Sequence, residues 1–310
     1  MIRQQFRLNF IKRFMNKIDF FIFSIITSLA MGCSHKNNDA IKENDIKTIS
    51  VSIEPQRWIL EQIGGDKLNV VSLLPGDANP ENFDPPMSSL KSATESSLYM
   101  RMGNLPWEKS LIERITVSNP DVKVIDTSEG ISLIYGTHEH SHNHSHDNDG
   151  LDPHTWSSVK NAKIIASNMF NAIVETDSVN KEYYTCRFKI LIHKLDSLDN
   201  EFTERLLPIK GKSILVWHPS LSYFARDYGI NQISLGMENK ETTPKGLQKQ
   251  MEMAASHNPI AFFVEPQMAG TKSETVEEQS GAKRLVIQPL AYDWWNEMEK
   301  ITNFLTETIN

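Results

Sequence analysis

Two cysteines in 310 residues, Cys33 and Cys186, provide no disulfide framework for a fold to lean on. No disulfide is therefore expected within the mature chain, and Cys186 reads as a small apolar residue buried in a helix. A chain of this length can bury a core without covalent staples. Long apolar runs are equally scarce. The stretch from Phe20 to Ala30 is about half of the roughly 20 residues that span a bilayer. Positive charge is not in excess either. Lys and Arg number 32 against 39 Asp and Glu, a net charge of −7, which argues against nucleic acid as a partner. The one HExxH string, His138 to His142, falls in a polar stretch with no apolar residue to build a helix face, so the helical zinc-hydrolase signature is missing.

The short apolar run nevertheless has a function. Arg3, Arg7, Lys12, Arg13 and Lys17 precede it, and it ends at Ala30-Met31-Gly32-Cys33, the layout of a secretory signal. A Cys directly after a small residue resembles a bacterial lipoprotein signal, which would make Cys33 the lipidated first residue of the mature chain. Ala30 stands where a bulky aliphatic residue is usual, and the segment after Met15 is already a complete signal. The segment before Cys33 carries five basic residues and one acidic, so its removal takes the net charge from −7 to −11, a balance that suits a cation as ligand. Residues 34–46 are polar and read as a solvated tether. The protein is expected in the bacterial cell envelope, held by lipid in the periplasm or at the surface.

Beyond the tether, two similar series of short apolar runs alternate with helical patterns. Lys47–Ile53, Lys67–Leu74, Ser97–Met102 and Val122–Asp126 read as strands, separated by helices at Pro55–Gly64, Pro86–Ser96 and Pro106–Ser118. Ser213–Trp217, Ile230–Leu235, Ile260–Val264 and Arg284–Gln288 form the second set, with helices at Leu221–Tyr228, Thr243–His257, Thr271–Ser280 and Asp293–Thr308. Strands alternating with helices imply parallel sheets covered on both faces. The expected fold class is α/β, with two lobes that each hold a four-stranded parallel sheet flanked by helices. Between the two series lie helical stretches at Val159–Val174 and Asp177–Leu206; Asp177 or Ser178 is placed to cap the second. The expected organisation is a signal over 1–33, a tether over 34–46, an N-terminal lobe over 47–176, a linking helix over 177–207 and a C-terminal lobe over 208–310.

The chemistry lies in the histidines. His138, His140, His142, His144 and His146 alternate with small polar and acidic residues in the segment 137–149. Imidazole is the usual side-chain ligand of Zn²⁺ and its neighbours, and nothing apolar is present to fix a structure, so this reads as an accessory metal loop with exchangeable binding. His154 follows in Asp152-Pro-His-Thr-Trp156, and His218 sits directly past a strand in Val216-Trp-His-Pro219. In parallel α/β sheets the carboxyl ends of strands face the ligand crevice. Glu81, Glu265 and Gln288 also fall at such ends. Two imidazoles with one or two oxygen ligands make a four-coordinate Zn²⁺ site and also serve Mn²⁺ or Fe²⁺.

Several stretches together resemble the zinc/manganese substrate-binding lipoproteins of ABC importers, the TroA-like periplasmic binding proteins. They are Pro75-Gly with Asn79-Pro-Glu-Asn-Phe-Asp-Pro85, Asp152-Pro-His-Thr-Trp156, His218-Pro-Ser-Leu-Ser-Tyr-Phe-Ala-Arg-Asp-Tyr-Gly229, Phe262-Phe-Val-Glu-Pro-Gln267, Gly281-Ala-Lys283 and Pro289-Leu290. The resemblance runs from about Lys47 to the C-terminus. It implies two α/β lobes joined by a long rigid helix, metal held between them by three His and one carboxylate, and a membrane permease as partner of a monomeric binding protein. His154 and His218 match two family ligands. Glu81 stands where a His is usual and Gln288 where an Asp is usual. The expected ligands are Glu81, His154 and His218, with Gln288, Glu265 or water in fourth place. Two other functions use the same residues: a metal-dependent hydrolase built on Glu81, His154 and His218, and a zinc-storage or adhesin surface protein.

Overall fold

A computed structural model describes residues 46–76, 78–135, 150–236, 251–252 and 256–308. The signal, Cys33, the five loop histidines and most of the helix expected at 243–257 lie outside these residues. Ile46 to Asn310 forms one compact unit. No helix among the described residues is long and apolar enough to cross a membrane.

Strands β1 (Lys47–Val51), β2 (Leu68–Ser72), β3 (Leu98–Arg101) and β4 (Lys123–Asp126) pair in parallel in the order β2-β1-β3-β4. Strands β5 (Ser213–Val216), β6 (Asn231–Ser234), β7 (Ala261–Val264) and β8 (Lys283–Val286) repeat that arrangement as β6-β5-β7-β8. Helices α1 (Glu54–Gly64), α2 (Met87–Thr94) and α3 (Glu108–Ser118) belong to the first lobe. Helices α6 (Ser222–Tyr228), α7 (Thr271–Ser280) and α8 (Trp294–Glu307) belong to the second, and α4 (Val159–Thr176) and α5 (Lys181–Leu206) lie between the two in sequence. In both sheets the order reverses at the first strand, which is where open α/β sheets leave a crevice beyond the strand ends.

The period of two along each strand divides the packing. In β5, Ile214 and Val216 join one apolar cluster while Leu215, with Trp217 just past the strand, joins another; in β7, Phe263 faces the first and Phe262 and Val264 the second. The larger cluster runs without a break from Ile49 of β1, through Met169 of α4 and Leu195 of α5, to Trp294 and Leu305 of α8. Both lobes therefore share one core.

Helix α5 is the axis of that core. Its 26 residues extend about 39 Å at 1.5 Å per residue. Near its start Arg187 donates to the Gln62 carbonyl, and near its end Arg205 donates to Asn303 and Thr306, so one helix grips α1 and α8. Phe188 stacks on Phe170 of α4 with ring centroids 4.3 Å apart. The helix starts later than its sequence suggests. The Asp177 carboxylate accepts from the Tyr184 hydroxyl (2.6 Å) and from Asn180 (2.8 Å) instead of capping backbone, and residues 178–180 form a 3-10 turn first. Cys186 also departs from expectation. It is half-buried rather than a core residue.

A buried carboxylate organises the end of β3. Glu108, 1% exposed, accepts from the Met102 N–H (2.5 Å), the Gly103 N–H (2.9 Å) and the Ser52 hydroxyl. Burial pushes its carboxyl up, and those three donors work against that rise. Glu108→Ala would strand two buried backbone donors, and the expected loss is about 2–4 kcal/mol, read from urea melting of the metal-free protein.

Candidate metal centre

Glu81, His154 and His218 converge although 137 positions separate the first from the last. One ligand atom from each lies within 4.8 Å of the other two. The two Nε2 atoms are 3.0 Å apart, and Glu81 Oε1 lies 3.3 Å from that of His218 and 3.7 Å from that of His154. Glu81 is held by its own loop, which follows β2. Its N–H donates to Asn79 Oδ1 (2.8 Å), and Trp107, just before α3, donates its indole N–H to the Pro80 carbonyl (3.0 Å). His218 stands two residues past β5. There the Trp217 N–H binds the Phe263 carbonyl and the Gly236 N–H binds the Trp217 carbonyl (2.7 Å), a close approach in which a Cβ on Gly236 would sit 2.7 Å from that oxygen.

His154 is the most fully enclosed of the three, at 1% exposed. Its backbone N–H and its Nδ1 both donate to Asp152 Oδ1, at 2.9 and 2.8 Å. A carboxylate on Nδ1 fixes the ring's orientation and leaves Nε2 facing the cluster. Burial works to raise the Asp152 carboxyl, but the His154 charge and hydrogen bonds outweigh it and hold it below its ordinary value. Glu81 follows the same pattern. Burial would raise it, and its contact with His218 together with the charges of both imidazoles holds it low.

Both Glu81 carboxylate oxygens are buried without an aligned hydrogen bond, because the imidazole nitrogen nearby stands at ion-pair distance in poor geometry. Buried acceptors of this kind are costly unless something cationic satisfies them. The donor set, two imidazole nitrogens and a carboxylate, fits a borderline divalent ion such as Zn²⁺.

Glu265 follows β7 and lies within electrostatic reach of His218 and His154. Its Oε1 accepts from the Ser220 hydroxyl (3.0 Å), while its Oε2 is buried without a hydrogen bond. Burial raises its carboxyl more than the imidazoles lower it. Its side chain caps no backbone in the turn that follows. Gln288 is placed differently. Strand β8 ends at Val286, two residues short of the boundary read from sequence, and the Gln288 side chain is exposed; its backbone N–H donates to Glu297 (2.8 Å). Sequence reasoning assigned no role to Asp152 or Ser220. The Asp-x-His spacing was the available sign of the first, whereas nothing local marks Ser220.

Residues 49–307 match the family described as zinc-uptake complex component A, periplasmic (ZnuA). The high-affinity zinc uptake system protein ZnuA of Bacillus subtilis (strain 168) is 27% identical over 273 residues, covering 84% of this chain and 84% of that protein. The manganese ABC transporter substrate-binding lipoprotein PsaA of Streptococcus anginosus is 25% identical over 281 residues, covering 86% and 87%. A crystal structure of ZnuA superposes with a TM-score of 0.75 at 29% identity, over 85% of this chain and 99% of its own. The family match begins inside β1 and ends at the last residue of α8, so both lobes and the helix between them are included, and the chain belongs to the zinc-uptake complex component A (ZnuA) family.

Proposed function

We propose that this protein is the extracytoplasmic substrate-binding component of a metal ABC importer, which captures Zn²⁺ between its lobes and delivers it to a membrane permease. The observation that carries this reading is the convergence of Glu81, His154 and His218 around buried carboxylate oxygens that lack hydrogen bonds. The zinc-uptake and ABC-transporter names of the relatives support it. Capture and release need no bond-breaking step, and in this reading the protein is not an enzyme. A lipid on Cys33 would keep the monomer at the membrane, and the histidines of 137–149 would gather metal nearby.

Mn²⁺ is the second cargo to consider. It is favoured by the carboxylate at position 81, by a second carboxylate close at hand in Glu265, and by the manganese-transporting relative. For the fourth ligand we favour Glu265 over Gln288, since one of its carboxylate oxygens is buried without a hydrogen bond within electrostatic reach of the imidazoles, while the amide is exposed.

The test is titration of residues 46–310 with Zn²⁺ and with Mn²⁺, with and without 137–149, after a chelator wash. One tight Zn²⁺ site that survives loop deletion is the expected result. If all tight binding leaves with the loop, storage or adhesion replaces import as the function. Chelator-sensitive turnover of a hydrolysable substrate would move the hydrolase ahead.

A further inference from the structure

His154 is carried by the chain between β4 and α4, yet much of what holds its segment comes from the second lobe. Upstream, Tyr223 of α6, fully buried, donates its hydroxyl to the Asp152 carbonyl (2.8 Å) and accepts the Ile134 N–H (3.2 Å). Ile134 and Asp152 are themselves joined, since the Asp152 N–H donates to the Ile134 carbonyl (2.8 Å) beside the antiparallel bridge between Tyr135 and Leu151. Downstream, the Trp156 indole donates to the Pro289 carbonyl (2.9 Å) and the Trp294 indole to the Trp156 carbonyl (2.8 Å). Arg226, also on α6, lies over the Tyr223 ring at 5.0 Å and donates to the Ser132 carbonyl (2.6 Å).

Among the described residues, no hydrogen bond ties the Glu81 loop to the second lobe. That loop is anchored by Trp107 and Asn79, both in the first lobe. The second lobe therefore grips one imidazole through the Asp152 segment and bears the other itself, with the two Nε2 atoms 3.0 Å apart.

We propose that Tyr223 is a positioning residue of the metal site. Its hydroxyl sets the Asp152 peptide, whose carboxylate orients His154, and so holds the two imidazoles as a fixed pair that Glu81 completes from the opposite lobe. Burial pushes the Tyr223 hydroxyl up to about 12, so it stays a donor across the working range. Displacement of Glu81 then opens the site while the imidazole pair persists. This rests on the metal-binding reading above and adds a residue that touches no metal.

The test compares Tyr223→Phe, Asp152→Asn and the double variant in the full chain. Zn²⁺ affinity is measured by competition with a chelating dye, and Co²⁺ serves as a spectroscopic probe of the ligand geometry. Tyr223→Phe keeps the ring and removes only the hydroxyl. The expected result is about tenfold weaker Zn²⁺ binding and an altered Co²⁺ d–d spectrum, the scale of an outer partner of a ligand. The double variant should be no weaker than the poorer single one, because both act on one chain of contacts. A purely structural role would lower the melting temperature and leave the affinity and Co²⁺ spectrum of the folded protein unchanged, which overturns the proposal. So would full additivity. The wild-type chain supplies a second readout that does not depend on a variant folding. Amide exchange at Ile134 and Asp152 should slow when Zn²⁺ binds, and unchanged exchange overturns the proposal. A wild-type chain that binds no Zn²⁺ removes the metal-site reading as well, whereas normal binding by both wild type and Tyr223→Phe removes this inference alone.

Discussion

Replacing His154 and His218 together by alanine is expected to abolish tight Zn²⁺ binding while leaving a protein that still melts cooperatively. The two imidazole nitrogens stand 3.0 Å apart and supply two of the three ligand atoms that converge. Loss of an outer partner alone typically costs ten- to a hundredfold in metal affinity, so losing both nitrogens should cost at least about a thousandfold. The same result can be read as stability. A ligand present at a thousand times its Kd stabilises the folded state by about 4 kcal/mol. Wild type should show that gain with Zn²⁺, and the double variant should show none. Retention of the gain in the double variant, in protein lacking 137–149, would mean that the site between the lobes is not where the metal sits.

The second large effect separates Glu265 from Gln288. Glu265→Gln should weaken Zn²⁺ binding by about ten- to a hundredfold, because it replaces a carboxyl group within electrostatic reach of two imidazoles with a neutral amide. Gln288→Ala should change affinity by less than about twofold, since its side chain is exposed and the backbone N–H that binds Glu297 is retained. Calorimetry on the two variants decides the matter. The reverse ranking would restore the family's usual position as the fourth ligand, with the Gln288 side chain turned inward on binding. The Glu265→Gln effect should be larger for Mn²⁺ than for Zn²⁺, because oxygen ligands matter more to the harder ion.

Local chemistry explains why the α/β alternation was legible. In a parallel sheet covered on both faces the strands are short apolar runs, and the helices between them announce themselves by period and by proline in the first turn, as at Pro55. The two sheets and their intervening helices follow from such signals. His218, Glu81 and Glu265 were singled out for a related reason, whereas His154 stood out only through the family resemblance. Residue type names the chemistry, and a place after a predicted strand names the crevice.

Other features depend on contacts that no short window contains. Tyr223 reaches Asp152 across 71 positions, and Trp156 reaches Pro289 across 133. Asp177 reads as a helix cap until the Tyr184 hydroxyl takes its carboxylate. Gln288 reads as the last residue of its strand, yet β8 stops at Val286 and the side chain is exposed.

Composition, period and residue type were thus enough for the α/β alternation and for the imidazoles and carboxylates from which a cation site could be assembled, because each is written within a few neighbouring positions. Which oxygen-bearing side chains lie near the imidazoles, that Gln288 is exposed, and which lobe grips His154 were decided only by packing. Those outcomes depend on where strands end and on hydrogen bonds between residues that meet only once both lobes close around the shared core.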